Sequence, residues 1–154
     1  MLSLLLELDE LNESFDTQPV PVTLTNISQE EFKGEFEIGD LSFMVDVTGD
    51  IDRDRYEVAF SLHEKEKYNF ELTNTGHQFK VFATVINFVL TFVNAFDFPE
   101  GTQIEFSADK DERSRAPVYE RLLKKNIQRL PGNWSYRIKD DSTDVHFILE
   151  KVSD

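Results

Sequence analysis

Three aspartates at alternate positions, Asp50, Asp52 and Asp54, form the clearest pattern of potential metal ligands in the sequence. Carboxylates at the first, third and fifth positions of a loop open the calcium sites of EF-hand proteins. Such a loop also needs glycine at its sixth position and glutamate at its twelfth, where this chain has Arg55 and Ser61. The pattern therefore favours a solvated turn between two strands over a calcium site, and no metal is expected.

The three histidines, His63, His77 and His146, are the other residues that could bind a metal or accept a proton. They lie far apart in the sequence and form no pair at the spacing of neighbouring ligands on a helix or a strand. The chain has no cysteine, which excludes disulfides, a thiol nucleophile and cysteine-based zinc sites. The sequence also lacks a nucleophile elbow, a Walker-type phosphate loop and a dinucleotide-binding fingerprint.

Positive charge is concentrated in residues 110–129, which have a local net charge of +4 (seven basic, three acidic) in a protein whose total is −14. Such a cluster could bind an anion or a phosphate beside a helix. It could equally be a solvated helix face that balances the acidic remainder, and we favour this interpretation because charge runs are usually solvated. The basic residues are Lys110, Arg113, Arg115, Arg121, Lys124, Lys125 and Arg129.

Negative charge is concentrated in the first part of the chain. Through Glu66 there are 17 acidic and 4 basic residues (net −13), whereas the remainder has 13 acidic and 12 basic (net −1). Such a field repels nucleic acids and anionic membranes and attracts basic proteins, unless it serves solubility alone. We therefore expect a basic protein partner, no direct nucleic-acid binding and no membrane association. Residues 1–6 lack the cationic flank of a signal peptide, so a cytoplasmic location is expected.

The chain length fits a single α+β domain, residues 1–154, with one hydrophobic core. Residues 2–14 show leucines at helical spacing, although alternation within the same segment also allows a strand. Short runs over residues 22–72 alternate apolar and polar side chains, which predicts an antiparallel meander. Turns are expected at residues 39–40 and 48–50, where glycine and aspartate occur together.

A long buried helix is predicted for residues 77–96. Between Phe79 and Phe96 the polar residues are spaced four, three, four and three apart, so they form one narrow stripe on an otherwise apolar helix. This pattern is expected of a helix packed across a twisted sheet and wetted along one line, and the regular stripe argues against a transmembrane span. The stripe consists of Lys80, Thr84, Asn87, Thr91 and Asn94.

A second helix is predicted for residues 114–126, with Ser114 as its N-cap and Pro117 in its first turn. Residues 103–106 alternate as a strand does, and residues 134–138 and 145–149 indicate a closing hairpin. The expected architecture is therefore an antiparallel, mixed sheet with a long buried helix and a second, shorter one.

From Tyr68 onward, the predicted order of strand, long helix, strand, helix, turn and two strands resembles the second half of the GNAT (GCN5-related N-acetyltransferase) fold. Residues 106–123 are similar to the family's strand, connecting loop and following helix. This resemblance implies that Tyr119 is the general acid to the leaving thiolate. It also implies that Gly76, His77 and Gln78, at the start of the long helix, lie near the pyrophosphate of acetyl-coenzyme A.

Two functions follow from these patterns. Residues 79–86 and 106–110 are also similar to uncharacterised proteins of tailed bacteriophages, and the family's phosphate turn has a second small residue where this chain has Gln78 and Phe79. The first hypothesis is therefore a non-catalytic interaction protein on a GNAT-like scaffold, encoded by a phage and acting in the host cytoplasm without a cofactor. The alternative is an acetyl-coenzyme A-dependent N-acetyltransferase acting on an amine, with Glu57 or Glu71 as candidate general base.

Overall fold

The computed structural model describes residues 18–62, 78–109, 116–141 and 144–153, which form a seven-stranded sheet and two helices. The strands are β1 (Thr23–Ile27), β2 (Glu31–Ile38), β3 (Leu41–Asp50), β4 (Arg55–Leu62), β5 (Gln103–Asp109), β6 (Asn133–Asp140) and β7 (Asp144–Ser153). The helices are α1 (Gln78–Ala95) and α2 (Ala116–Asn126), and a single 3-10 turn, Ile127–Arg129, follows α2. The predicted α+β class with a mixed sheet and two helices is confirmed. Predictions for residues 2–14, residues 64–72 and Ser114 lie outside the described residues.

The strand order is β1-β2-β3-β4-β5-β7-β6. Every neighbouring pair is antiparallel except β4 and β5, which are parallel and are joined through α1. Parallel neighbours need such a crossover because a tight turn cannot return the chain to the same direction. The last strand, β7, lies between β5 and β6. Within the closing hairpin β6–β7, it is therefore the second strand that pairs with β5, and β6 forms the edge of the sheet.

Helix α1 crosses the sheet in the direction opposite to β4 and β5. Phe82, near its start, contacts Phe106 of β5 with ring centroids 6.0 Å apart. Phe92, near its other end, contacts Tyr56 at the start of β4 at 5.4 Å. The first turns of α1 therefore lie toward the carboxyl ends of the two parallel strands. In the described ranges, no helix has both the length and the apolar character needed to cross a membrane.

The polar stripe of α1 is not solvated along its whole length. Thr91 and Asn94 are exposed, but Thr84 is fully buried, because residues 18–22 pass over it. The backbone N–H of Val20 donates to Thr84 Oγ1 at 3.1 Å, and the same hydroxyl donates to the carbonyl of Lys80 at 2.8 Å. The expectation that solvent contacts the whole polar stripe is thus wrong at Thr84, whose hydroxyl accepts a backbone N–H of the segment that precedes β1.

The β3–β4 turn comprises residues 51–54, not residues 48–50 as the sequence predicts. Gly49 lies within β3 opposite Tyr56, and a Cβ atom at this position would overlap the Tyr56 ring. Glycine is therefore required at position 49, because the Tyr56 ring occupies the space that a side chain would need. In the true turn Asp54 adopts a positive φ of 53°, while the predicted turn at Gly39 and Asp40 is confirmed, with Gly39 at φ 61°.

Candidate functional site

The two central strands separate toward their carboxyl ends. The ladder between β4 and β5 ends at the pair Val58 and Phe106. Beyond this point β4 still pairs with β3 as far as Leu62, and β5 still pairs with β7 as far as Asp109. The described strands therefore leave a gap between β4 and β5 on the side where α1 begins. Backbone groups that face such a gap can bind a ligand, and ligands of open sheets often bind beyond the carboxyl ends of parallel strands.

Tyr119 of α2 lies beside the first turns of α1. Its side chain is 3% exposed and stacks on Phe82, with ring centroids 4.3 Å apart and planes inclined by 23°. It also contacts Phe147 of β7 edge-on, at 6.4 Å. Phe82 follows Gln78 by about one helical turn, so the structure brings Tyr119 to the same end of α1 as Gln78.

The remaining site residues predicted from the sequence are only partly placed. Gln78 is the first residue of α1, while Gly76 and His77 lie outside the described residues. Of the two candidate bases, Glu57 is exposed on β4, on the sheet face opposite the helices, and Glu71 lies outside the described residues. The structure therefore does not bring Glu57 to the side of the sheet on which Tyr119 is buried.

The sheet face opposite the helices is exposed and strongly acidic over β2, β3 and β4. Strand alternation sends the apolar side chains to the helices and the polar ones to this second face. The two basic side chains on these strands are both engaged. Lys33 Nζ lies 2.7 Å from Glu31, and Arg55 Nη1 donates to the carbonyls of residues 53, 54 and 101. We call the carboxylates the acidic face: Glu31, Glu35, Glu37, Asp46 and Glu57.

Asp46 lies near the centre of the acidic face. Burial raises the pKa of its carboxyl, the ammonium of Lys33 opposes this shift, and the carboxylates of Glu31 and Glu57 add to it. The pKa of Lys33 is raised in turn, first by its hydrogen bond to Glu31 and then by the charge of that residue. Both shifts have the direction that a negative potential produces.

A cleft of about 410 Å³ lies on the same face at the start of the parallel pair, with Thr48, Asp50, Arg55 and Gln103 among its lining residues. Glu57 of β4 and Glu105 of β5 also line it and are directly opposite each other in the ladder. Like charges at directly opposed positions destabilise a sheet. A cation bound between the two carboxylates would remove this repulsion.

A line of hydrogen bonds connects Ser107, His146 and Asp141 on the same face. Ser107 and His146 are directly opposed in the β5–β7 ladder, and Ser107 Oγ lies 3.0 Å from His146 Nδ1. His146 Nε2 lies 2.8 Å from Asp141 Oδ2, and Glu105 Oε2 lies 3.7 Å from Nδ1. We call Ser107, His146 and Asp141 the relay. The sequence signal that could have indicated it is the alternation within β5 and β7, which places Ser107 and His146 on polar positions of strands that pair.

The side chains at and beside His146 include potential metal ligands. Asp141, Asp144 and His146 each offer an atom, and these atoms lie within 4.8 Å of one another. Asp141 is already engaged, because its Oδ1 accepts the N–H of Asp144 at 2.7 Å and its Oδ2 bonds to His146. These bonds close the β6–β7 hairpin. In the β3–β4 turn, Asp50 Oδ1 likewise accepts the N–H of Asp52 at 3.1 Å.

Comparison of the chain with protein-family models, with curated proteins and with solved structures finds no match.

Proposed function

We propose that this protein has a GNAT-like fold and acts by binding a basic protein partner on its acidic face. The fold proposal is supported by the strand order and by the single parallel pair β4–β5, which is joined through a helix and separates where that helix begins. A central pair that separates at the start of the long helix is what the resemblance to the GNAT family implies. Fold likeness alone does not define an activity, so the function rests on the site.

The opposed pair Glu57 and Glu105 carries the binding proposal. Glu57 has no hydrogen bond or ion pair among the described residues, and the two carboxylates share one cleft. Two carboxylates that share an open cleft favour a cationic ligand. The acidic face around them extends the electrostatic attraction over β2 and β3. A lysine or arginine side chain of a partner protein matches this chemistry. Binding of this kind needs neither a cofactor nor a catalytic step.

The same charge distribution disfavours nucleic acid, whose phosphates the acidic face would repel. The proposal includes the phage origin and the location in the host cytoplasm that the sequence resemblance implies. The basic partner would then be another protein of the host cytoplasm.

Binding of a fluorescent lysine-rich peptide, followed by fluorescence polarisation, tests this proposal. The variant Glu57→Gln with Glu105→Gln removes two charges from the cleft, and Asp97→Asn with Glu100→Gln removes two exposed charges outside it. Each contact between unit charges is worth about 1 kcal/mol in water, so the cleft variant should lose roughly tenfold or more in affinity. The matched variant should lose much less.

Equal losses in the two variants would show that net charge alone attracts the peptide, and would contradict a defined site. Affinity that does not fall as salt is added would also contradict the proposal, because ions screen such attraction within about 10 Å at 0.1 M.

A second candidate, an acetyl-coenzyme A-dependent N-acetyltransferase acting on an amine, is favoured by the gap between β4 and β5 and by the position of Tyr119. In this case Gly76, His77 and Gln78 would hold the pyrophosphate, and Tyr119 would protonate the leaving thiolate. Calorimetry with acetyl-coenzyme A at high protein concentration tests it, and absence of heat would eliminate it. Tyr119→Phe should preserve binding and abolish transfer, because it removes the proton donor.

A further inference from the structure

The protonation of the relay follows from its hydrogen bonds. An ionised Asp141 can only accept a hydrogen bond. Nε2 of His146 therefore carries a proton and donates a hydrogen bond to Oδ2. Nδ1 then has a free lone pair and accepts the hydroxyl of Ser107, 3.0 Å away. This is the tautomer in which an imidazole can take the proton of a serine, although the two ring nitrogens are exchanged relative to serine proteases.

Charged groups flank the imidazole. Asp141 Oδ2 lies 2.8 Å from Nε2 and Glu105 Oε2 lies 3.7 Å from Nδ1, so a carboxylate faces each ring nitrogen. Lys139 of β6, the cross-strand partner of His146, is exposed to solvent, so its positive charge offsets the two carboxylates only weakly. Asp144 lies two positions before His146 on the same face of β7. The His146 side chain is only 18% exposed, which limits the screening of these interactions by water.

The position of Ser107 gives its hydroxyl access to a substrate. Ser107 is exposed, and it directly follows Phe106, where the ladder between β4 and β5 ends. Backbone N–H groups that face the gap have no partner in the described β4–β5 ladder. Such groups can donate to the oxyanion that forms when a carbonyl is attacked.

We propose that Ser107 is a nucleophile that accepts acyl groups from thioesters or activated esters. Its Oγ attacks the carbonyl carbon and its proton passes to His146 Nδ1. The C–S or C–O bond to the leaving group then breaks, and the leaving group takes the proton. Water cleaves the resulting acyl-serine through the same imidazole, which returns the proton to Oγ. This activity goes beyond partner binding. It involves neither Tyr119 nor the acidic face of β2 to β4, and it shares only Glu105 with the binding cleft.

Replacement of the serine by cysteine tests the activation without knowledge of the substrate. The chain has no cysteine, so Ser107→Cys introduces its single thiol. Ser135→Cys is the matched control, because Ser135 is exposed on the same sheet face but is opposite Glu150 and not a histidine. A free cysteine with a pKa of about 8.5 is only a few per cent thiolate at neutral pH, and a neighbouring imidazole raises this fraction. We expect iodoacetamide to alkylate Ser107→Cys about tenfold faster.

Additional variants separate the roles within the relay. His146→Gln in the Ser107→Cys protein should return alkylation to the rate of the control. Asp141→Asn, which removes the charge and keeps an oxygen for the N–H of Asp144, should lower the rate without lowering the melting temperature, as expected of a positioning residue. Equal alkylation rates for the two cysteines in folded proteins, verified by circular dichroism, would overturn the proposal.

The unmodified protein provides the second measurement. Incubation with p-nitrophenyl acetate, followed by mass spectrometry of peptides, should locate an acetyl group on Ser107, and Ser107→Ala should abolish it while Ser135→Ala should not. Labelling that is lost on chelation and restored by zinc would assign Asp141, Asp144 and His146 to a metal instead, and would overturn the relay mechanism. Absence of acetylation at residue 107 in the wild type, together with release of p-nitrophenolate no faster than in Ser107→Ala, would also overturn it.

Discussion

The substitution Gly34→Ala is expected to destabilise this protein, although alanine is normally the better residue within a strand. Gly34 lies in β2 opposite Val45, where residues 18–22 and α1 both pass over the sheet. A Cβ atom there would overlap Val22 Cγ1, lie 2.9 Å from Phe88 Cε1 and lie 3.3 Å from the carbonyl oxygen of Thr23. The close approach of three chain segments therefore requires glycine at this position.

The magnitude follows from two opposing terms. At an open strand position, alanine is more stable than glycine by roughly 0.5–1 kcal/mol. An extra carbon in a packed core costs typically about 1–3 kcal/mol. Phe88 cannot easily move, because it is 1% exposed and its ring centroid lies 5.0 Å from that of Phe32. We expect a net loss of about 1–2 kcal/mol, which lowers Tm by roughly 2–8 °C in a domain of this size.

Urea and thermal unfolding, followed by circular dichroism, measure this loss in Gly34→Ala, in Val22→Ala and in the double variant. Val22→Ala removes the atom that the new methyl group would overlap, so the two substitutions should couple by about 0.5 kcal/mol or more. Fully additive losses, or a gain in stability for Gly34→Ala alone, would refute the packing of residues 18–22 against β2.

Three further substitutions test other contacts. Asp46→Asn should raise the free energy of unfolding at neutral pH, because the raised pKa of Asp46 means that its ionisation destabilises the fold. In urea titrations this gain in stability should vanish at acidic pH, where the wild-type carboxyl is protonated. Thr84→Val removes the acceptor of the Val20 N–H and should cost about 1–3 kcal/mol, with faster amide exchange at Val20 by NMR. Phe82→Ala removes a buried ring that stacks on Tyr119 and should cost about 3–5 kcal/mol in urea unfolding.

Each of these substitutions has an outcome that would contradict its physical reason. A gain for Asp46→Asn that stays constant from neutral to acidic pH would show that the carboxyl charge is not responsible. Unchanged amide exchange at Val20 in Thr84→Val would show that the hydroxyl does not hold residues 18–22. Full stability of Phe82→Ala would mean that the start of α1 is not anchored on α2.

Elements with a strong local pattern could be predicted from the sequence. Alternation of Phe32, Phe36 and Ile38 with charged residues predicts β2, and the structure confirms this strand. The sequence misplaces the β3–β4 turn because glycine beside aspartate is a common turn signal, whereas Gly49 is required by the ring of Tyr56, seven residues later in the chain. Such a requirement depends on cross-strand register, which composition does not encode.

Strand alternation marks Ser107 and His146 as polar positions, but it does not show that they meet, and the reason is topological. Ser107 and His146 are 39 residues apart and meet only because β7 lies between β5 and β6. Chain order suggests β6 as the neighbour of β5, which would place other side chains opposite Ser107. Tyr119 lies beside the start of α1, where it stacks on Phe82, and its role as an acid is a prediction.

The insertion of β7 between β5 and β6 also affects the order in which the sheet can assemble. Hairpin β2–β3 joins Ile38 to Leu41 across a short turn, whereas β5 and β7 join Gln103 to Glu150, 47 residues away. Closing a longer loop costs more entropy before any contact compensates for it, so pairings of this kind form late. We therefore expect the β2–β4 meander to nucleate folding and the relay to assemble last. A nascent or partly folded chain would then carry the acidic face before it acquires an activated serine.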